Sequence, residues 1–210
     1  MKRLIILGAG NMAKIATEYA MLSKDYNKEW AIVGCLEFEG KDTVADPKYP
    51  PIIGTIEGYQ PTEEDVFFCS YALVEDRKKS VQLMEQKGAK FINLIHPSAN
   101  VLSTSILGVG NMIGAFTTIS VNVKIGNHTI IQDHCNIGHD SVIGDFSHLY
   151  VGNIVCGINT LGECTTVYTG SVIYPKLKVG GGATIGAGSV VMRAVKPGTT
   201  VMGNPAKKIE

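Results

Sequence analysis

The sequence predicts a two-part chain. An α/β domain with a parallel sheet spans residues 1–95, and an all-β parallel β-helix spans residues 96–210. Three observations predict it. From Val101 to Val191 every sixth residue is Val, Leu or Ile, sixteen positions without a gap. Neither a period of 3.6 nor a period of 2 gives that beat, and a hexapeptide period marks a β-helix. Ahead of the beat, apolar runs alternate with amphipathic stretches in β-α-β order, the order of a parallel sheet. A glycine turn joins the first run to the first of those stretches.

Leu4-Ile5-Ile6-Leu7 is a continuous apolar run and reads as a buried parallel strand. Gly8-Ala9-Gly10-Asn11-Met12-Ala13 is a tight turn that matches Gly-x-Gly-x-x-Gly/Ala, with Ala13 in the third place. Backbone amides of such a turn, at a helix N-terminus, suit a phosphate, which makes the domain Rossmann-like. The alternative is a close strand-to-helix packing turn with no ligand. Lys14 to Ser23 reads as a helix with Ile15, Ala16, Tyr19, Ala20 and Leu22 as its apolar face. Ala31 to Leu36 is the next strand, and Glu37 at its end suits a ribose hydroxyl. Val66 to Cys69 is a strand, Glu75 to Lys87 a helix and Phe91 to Leu94 the last strand. His96-Pro97 begins the passage into the repeats. An NAD dehydrogenase fits poorly, because this α/β part is small and its companion is a β-helix.

Composition excludes several classes. Lys and Arg together number 19, as do Asp and Glu, so no basic surface asks for nucleic acid. An aromatic share of 7% argues against a base-stacking platform. Leu4 to Leu7 is too short to cross a bilayer, and the glycine turn that follows is foreign to a signal peptide. The expectation is a cytoplasmic protein with neither nucleic-acid nor membrane partners. Cys35, Cys69, Cys135, Cys156 and Cys164 lack CxxC spacing and read as free thiols. Cys135 and Cys156 read as packing residues.

Within the repeat, the aliphatic residue at position one points inward and stacks along the axis. Position two is Gly in half the units, among them Gly108, Gly114, Gly126, Gly138 and Gly144. These glycines are expected at corners that need unusual backbone angles. Position five is small almost throughout, with Leu177 as the bulky exception. Three short strands make one coil, and the sixteen units about five coils.

On these residues, and on the tail Val201-Met202-Gly203-Asn204-Pro205-Ala206-Lys207, the chain resembles the hexapeptide-repeat acyltransferases. That resemblance implies a left-handed β-helix and a homotrimer of prisms packed side by side. The two parts together resemble a narrower group, the bacterial sugar acetyltransferases of sialic-acid and bacillosamine type, which carry a Rossmann-like domain before the β-helix. The resemblance implies acetyl-CoA as co-substrate, no metal, and a nucleotide-linked amino sugar as acceptor. Carried over by position, Gly8, Gly10, Asn11 and Met12 line the phosphate and sugar, Glu37 the nucleoside, and Ala72 the loop after the third strand. The chain departs from some relatives at Met12, where they have His, and at Ala72-Leu73-Val74, where they have Gly-Asn-Asn. The identity of the sugar and the choice between N- and O-acetylation therefore stay open.

The histidines His96, His128, His134, His139 and His148 all fall at or beyond the junction. The stretch from Ile137 to His148 resembles the motif in which the first His is the general base. On that mapping His139 is the base, Asp140 its partner, and His148 a contact to acyl-CoA. The chemistry is coherent: acyl transfer from a thioester needs a deprotonated nucleophile, and imidazole titrates near neutrality. An adjacent carboxylate stabilises imidazolium. A backbone N–H, for which Gly157 one coil further is placed, suits the tetrahedral oxyanion. By position Gly157, Thr169, Ala187 and Lys207 line acetyl-CoA.

Two rivals remain open at this point. The His134-to-His139 interval resembles that of γ-type carbonic anhydrases, which would make the chain a metalloenzyme, although residues 114–120 hold no third His. A non-catalytic, sugar-nucleotide-binding β-helix is the other.

Overall fold

A computed structural model describes residues 1–43 and 46–209. The chain divides into two compact units, Met1–Pro97 and a second from Ser98 onward.

The first unit is built on β1 (Lys2–Leu7), β2 (Trp30–Glu37), β3 (Ile52–Thr55) and β4 (Asp65–Cys69), paired in parallel in the order β3-β2-β1-β4. Leu4 to Leu7 are fully buried, as an apolar run in the middle of a parallel sheet must be. Helix α1 (Asn11–Leu22) follows β1 and α2 (Val74–Gln86) follows β4.

Three details differ from the expectation. First, α1 buries Ala13, Ala16, Thr17 and Ala20, while Ile15 and Leu22 are exposed. A stripe of small residues at i, i+3, i+4 and i+7 faces inward, leaving the larger aliphatics on other faces of the helix. Second, β3 was not anticipated, being short, flanked by Pro50-Pro51 and interrupted by Gly54. Third, Phe91 to Leu94 is not a strand. Lys90 O accepts from Phe67 N at 2.9 Å and Phe67 O from Ile92 N at 3.0 Å, a single bridge at Phe91. A two-residue strand forms only at Leu94–Ile95.

The second unit is a parallel β-solenoid. Sixteen two-residue strands among the described residues run from Asn100–Val101 to Val190–Val191. Partners lie eighteen residues apart (Lys124 opposite Val142, Ile130 opposite His148, Asn136 opposite Ile154), so three six-residue units close one coil. The position-one aliphatics from Ile113 to Val191 are all buried and form one continuous core. The small position-five residues are buried beside them, with their polar atoms tied to neighbouring coils. Asn111 Nδ2, for example, donates to Gly126 O (2.8 Å), and Asn111 Oδ1 accepts from Thr129 N (2.8 Å). The chain ends in an antiparallel hairpin, Thr200–Gly203 with Ala206–Lys208, across a cis Asn204–Pro205 bond.

The corners correct the reading of the position-two glycines. Positive φ falls two residues later, at position four, in every unit from Gly110 to Gly188. Its occupants include Asn122, His134 and Asp140 as well as glycines. Asn and Asp enter the left-handed region at lower cost than other side chains. The position-two glycines serve close approach instead. A Cβ on Gly114 would lie 2.6 Å from Asp133 N, and one on Gly138 2.5 Å from Gly157 N. Backbone of the next coil occupies the space a side chain would need.

Candidate active site

Within the first unit, Gly8, Gly10, Asn11, Met12, Glu37 and Ala72 line one cavity of about 230 Å³, together with Lys41, Thr43, Ser70 and Tyr71. Gly8 has φ +89°, and a Cβ there would meet the Tyr71 ring at 3.2 Å and Ser70 Oγ at 3.0 Å, so both conformation and space require glycine. Around Gly10 a Cβ would find nothing within 4 Å, and Gly10 precedes the first turn of α1. The loop bearing Ala72 is held from behind by Arg77 of α2, fully buried, whose Nη1 donates to Tyr71 O (2.7 Å) and Ala72 O (3.1 Å).

Glu37 is 4% exposed and ties three segments together. Its Oε2 accepts from Ala9 N (3.2 Å) and Thr43 Oγ1 (2.9 Å). Its Oε1 accepts from Phe38 N (3.0 Å) and from the Tyr71 hydroxyl. Burial pushes the Glu37 carboxyl up, but the hydrogen bonds from Tyr71, Phe38, Thr43 and Ala9 outweigh it and hold it below the ordinary glutamate range. The Tyr71 phenol is driven up, first by burial and then by its bond to Glu37. Lys41 Nζ lies 3.7 Å from Glu37 Oε1, 3.6 Å from Asp76 Oδ2 and 4.4 Å from the centre of the Tyr71 ring.

In the second unit, His139 and Asp140 occupy a corner of the solenoid, the third and fourth positions of their repeat. Asp140 has φ +56°, and its Oδ2 sits 2.8 Å from His139 Nδ1. Both side chains are about half exposed. Asn122, at the same corner one coil earlier, donates from Nδ2 to Asp140 Oδ1 (3.1 Å). The bond to His139 first, then that to Asn122, holds the Asp140 carboxyl below the ordinary aspartate range. With Asp140 accepting from Nδ1–H, the lone pair of the neutral ring resides on Nε2. One coil later Gly157 stacks against that ring: a Cβ on Gly157 would lie 2.5 Å from Nε2. With no side chain at 157, the imidazole rests directly against the part-exposed backbone of the next coil. A base, its carboxylate partner and an amide beside them form a set able to deprotonate a nucleophile next to a developing oxyanion.

The remaining expected residues lie elsewhere on the unit. Thr169 and Ala187 are exposed and stacked one coil apart, but at a different corner from His139 and Gly157. His148 is 1% exposed, its ring stacked on Tyr150 at 4.0 Å and its Nε2 3.0 Å from Gln132 Nε2. Lys207 lies in the terminal hairpin and lines a cavity of about 460 Å³ with Arg193, Lys196 and Lys208. His134 stacks on Phe116 and His128 on Phe146, each apart from the His139 corner. Among the described residues no three His, Cys, Asp or Glu side chains are grouped to hold a metal ion, so His134 and His139 form no shared ligand set within the chain. No described helix is long and apolar enough to cross a membrane.

Sequence reasoning missed Asn122, Lys41, Thr43 and Tyr71. Asn122 was findable: it lies eighteen residues before Asp140 at the same repeat position, so the coil length alone aligns them. Lys41 and Thr43 meet Glu37 through the irregular segment after β2, and Tyr71 only through the tertiary fold.

No protein-family model matches the chain. Solved structures do. The acetyltransferase domain of PglB from Neisseria gonorrhoeae FA1090 is 25% identical over the whole of both chains, with a TM-score of 0.89. The same domain in complex with acetyl coenzyme A is 25% identical over 99% of each chain, with a TM-score of 0.87. A histidine-to-asparagine variant of perosamine N-acetyltransferase from Caulobacter crescentus, in complex with CoA and GDP-perosamine, is 23% identical over 100% of this chain and 98% of that one, with a TM-score of 0.88.

Proposed function

We propose that this chain is an acetyl-CoA-dependent acetyltransferase that acetylates an amino sugar linked to a nucleotide. The full-length likeness to the gonococcal acetyltransferase domain, also solved with acetyl coenzyme A, supports the reaction class and the co-substrate. The shared fold of a structure holding CoA and GDP-perosamine is consistent with the acceptor class. On this reading the first unit is a Rossmann-like domain whose cavity takes the nucleotide-sugar, with Gly8, Gly10, Asn11, Met12, Glu37 and Ala72 around it. The solenoid is a left-handed β-helix that binds acetyl-CoA and carries the base.

One observation carries the mechanism: the 2.8 Å contact of His139 Nδ1 with Asp140 Oδ2 at an exposed corner against Gly157. Nε2 of His139 takes the proton from the acceptor amine as nitrogen attacks the thioester carbonyl. Asp140 stabilises the imidazolium that results. Gly157 N–H donates to the oxyanion, and collapse of the tetrahedral intermediate expels the thiolate of CoA, which takes from His139 the proton that the amine gave up. No covalent enzyme intermediate is needed. Thr169 and Ala187 lie at another corner, which suits a homotrimer: the cleft between adjacent prisms brings one subunit's His139 corner to another's Thr169 corner. Lys207 meets the phosphates of acetyl-CoA, whereas His148, expected from the sequence as a contact, is buried against Tyr150 and Gln132, so its part is indirect.

Acetyl-CoA-dependent thiol release across a panel of UDP-, dTDP-, GDP- and CMP-linked amino sugars tests the reading. At least one member is expected to turn over. His139→Ala is expected to lower kcat by a factor on the order of 10³ with acetyl-CoA affinity and melting temperature retained. Turnover undiminished in His139→Ala, or no release with any acceptor, overturns it.

A further inference from the structure

We propose that Glu37 does not touch the ligand but positions the cavity wall, and that Lys41 is the residue that reads the ligand, taking a phosphate of a nucleoside diphosphate. This deepens the acceptor site described above and rests on that reading.

An acidic residue at the end of the second strand of such a sheet ordinarily accepts from a ribose hydroxyl, which requires a vacant lone pair. A carboxylate offers about four acceptor positions. Glu37 meets four donors, two on each oxygen: Ala9 N and Thr43 Oγ1 on Oε2, Phe38 N and the Tyr71 hydroxyl on Oε1. The donors come from three stretches: the glycine turn, the segment after β2 (Phe38 and Thr43) and the loop after β4. Glu37 is thus the tie between the walls of the cavity. A ribose hydroxyl would have to displace one of the four, and a displaced buried donor is costly.

Lys41 has the opposite character. Its side chain is 42% exposed, and both of its carboxylate neighbours stand beyond hydrogen-bonding distance, at 3.7 and 3.6 Å. The ammonium is held by the field of Glu37 and Asp76 and by the Tyr71 face at 4.4 Å rather than by directional bonds. The pair with Asp76, exposed by more than a third on both sides, is solvent-screened and exchanges readily, and the contact to buried Glu37 is too long for a directional bond. Among the described residues that line the cavity, Lys41 is also the one cationic side chain. Glu37 puts a negative charge into the same wall, so an anionic ligand can enter only where that charge is offset. Lys41 offsets it, and it lines the same cavity as Gly8 and Gly10 with an ammonium that carries three donors. By fixing Tyr71, Glu37 fixes the ring over which Lys41 rests.

The experiment measures calorimetric binding of UDP, GDP, CDP and dTDP to the full-length chain. Alongside are the parent nucleoside and the 2′,3′-dideoxy form of the tightest binder. Lys41→Met is expected to weaken the diphosphate tenfold or more and flatten its salt dependence, with nucleoside affinity changed less than twofold. Lys41→Arg is expected to restore the diphosphate to within threefold of wild type. The affinity lost on removing the ribose hydroxyls is expected to be equal in wild type and Glu37→Gln, because Glu37 does not meet them. Diphosphate binding undiminished in Lys41→Met overturns the role of Lys41. A dideoxy penalty that disappears in Glu37→Gln overturns the role of Glu37. Failure of wild type to bind any of the four diphosphates at millimolar concentration overturns the nucleotide-linked acceptor itself, and this inference with it.

Discussion

Glu37 and Asp140 are two carboxylates held below their ordinary range by hydrogen bonds, in opposite settings. Glu37 is buried and met by four donors from three stretches of the first unit. Asp140 is half exposed and met by two partners, one of them the titratable ring of His139. The first arrangement leaves no acceptor capacity and therefore serves shape. The second keeps a proton-carrying partner at a solvent-facing corner, as the proposed mechanism requires. Substituting each by its amide separates the two roles.

Of the two amide substitutions, the larger effect on turnover is expected from Asp140→Asn. Asn tolerates the φ of +56° at this corner, so the backbone stays put and only the charge is lost. Imidazolium loses its counter-charge, and kcat is expected to fall by about 10²-fold with little change in melting temperature. A large drop in melting temperature would give Asp140 the structural role that belongs to Glu37.

Glu37→Gln is expected to do the reverse, costing about 1–3 kcal/mol of stability because buried donors lose their acceptor. The acid limb gives a second readout. A carboxyl whose folded value is depressed contributes stability above its unfolded value, about 4.3, and loses it as pH falls through the folded value. Wild type should therefore lose stability below about pH 4 more steeply than Glu37→Gln. Equal acid slopes in denaturant melts would remove Glu37 from that account.

The same contrast explains what could be read from the sequence. In the solenoid, burial follows a period, and the position-one ladder from Ile113 to Val191 was legible because each copy meets its equivalent one coil on. What the period could not reveal is why glycine sits at position two. Sequence alone does not separate a need for positive φ from a need for space, and here the first falls on Asn122, His134 and Asp140, the second on Gly114 and Gly138. In the first unit the fingerprint Gly8-x-Gly10 and Glu37 were legible as local signals. The inward face of α1 was misjudged because hydrophobicity favours Ile15 and Leu22, whereas the helix buries its alanines against the sheet. Tyr71, Thr43 and Lys41 carry no periodic or motif signal: Thr43 and Lys41 meet Glu37 through an irregular segment four to six residues on, and Tyr71 meets it only once the strands are paired.

Gly157 sharpens the comparison at the His139 corner. Its substitution by Ala puts a methyl 2.5 Å from His139 Nε2, the far end of a side chain that can swing aside. Gly138→Ala instead drives a methyl to 2.5 Å from backbone N of Gly157. Gly157→Ala is expected to lower kcat by about tenfold, roughly 1.4 kcal/mol of barrier, and to leave the fold intact. Gly138→Ala is expected to lower the melting temperature, because a rigid coil must move. A kcat for Gly157→Ala equal to wild type would mean the ring does not work from where it rests.

The smallest effect is expected at Asn122. Its amide donates to Asp140 Oδ1 from one coil away, leaving Oδ2 directed at His139 Nδ1. Asn122 also has a positive φ of 57°, so Ala there would add backbone strain that has nothing to do with the hydrogen bond. Gly accepts the conformation and deletes only the amide. A single solvent-exposed hydrogen bond contributes about 0.5–1 kcal/mol, so Asn122→Gly is expected to reduce kcat two- to fivefold while acetyl-CoA affinity holds. In the Asp140→Asn background the same change should do nothing, because the carboxylate it orients is gone. Additive losses in the double variant would show that Asn122 acts through something other than Asp140, and would leave the exposed carboxylate with His139 as its one functional partner.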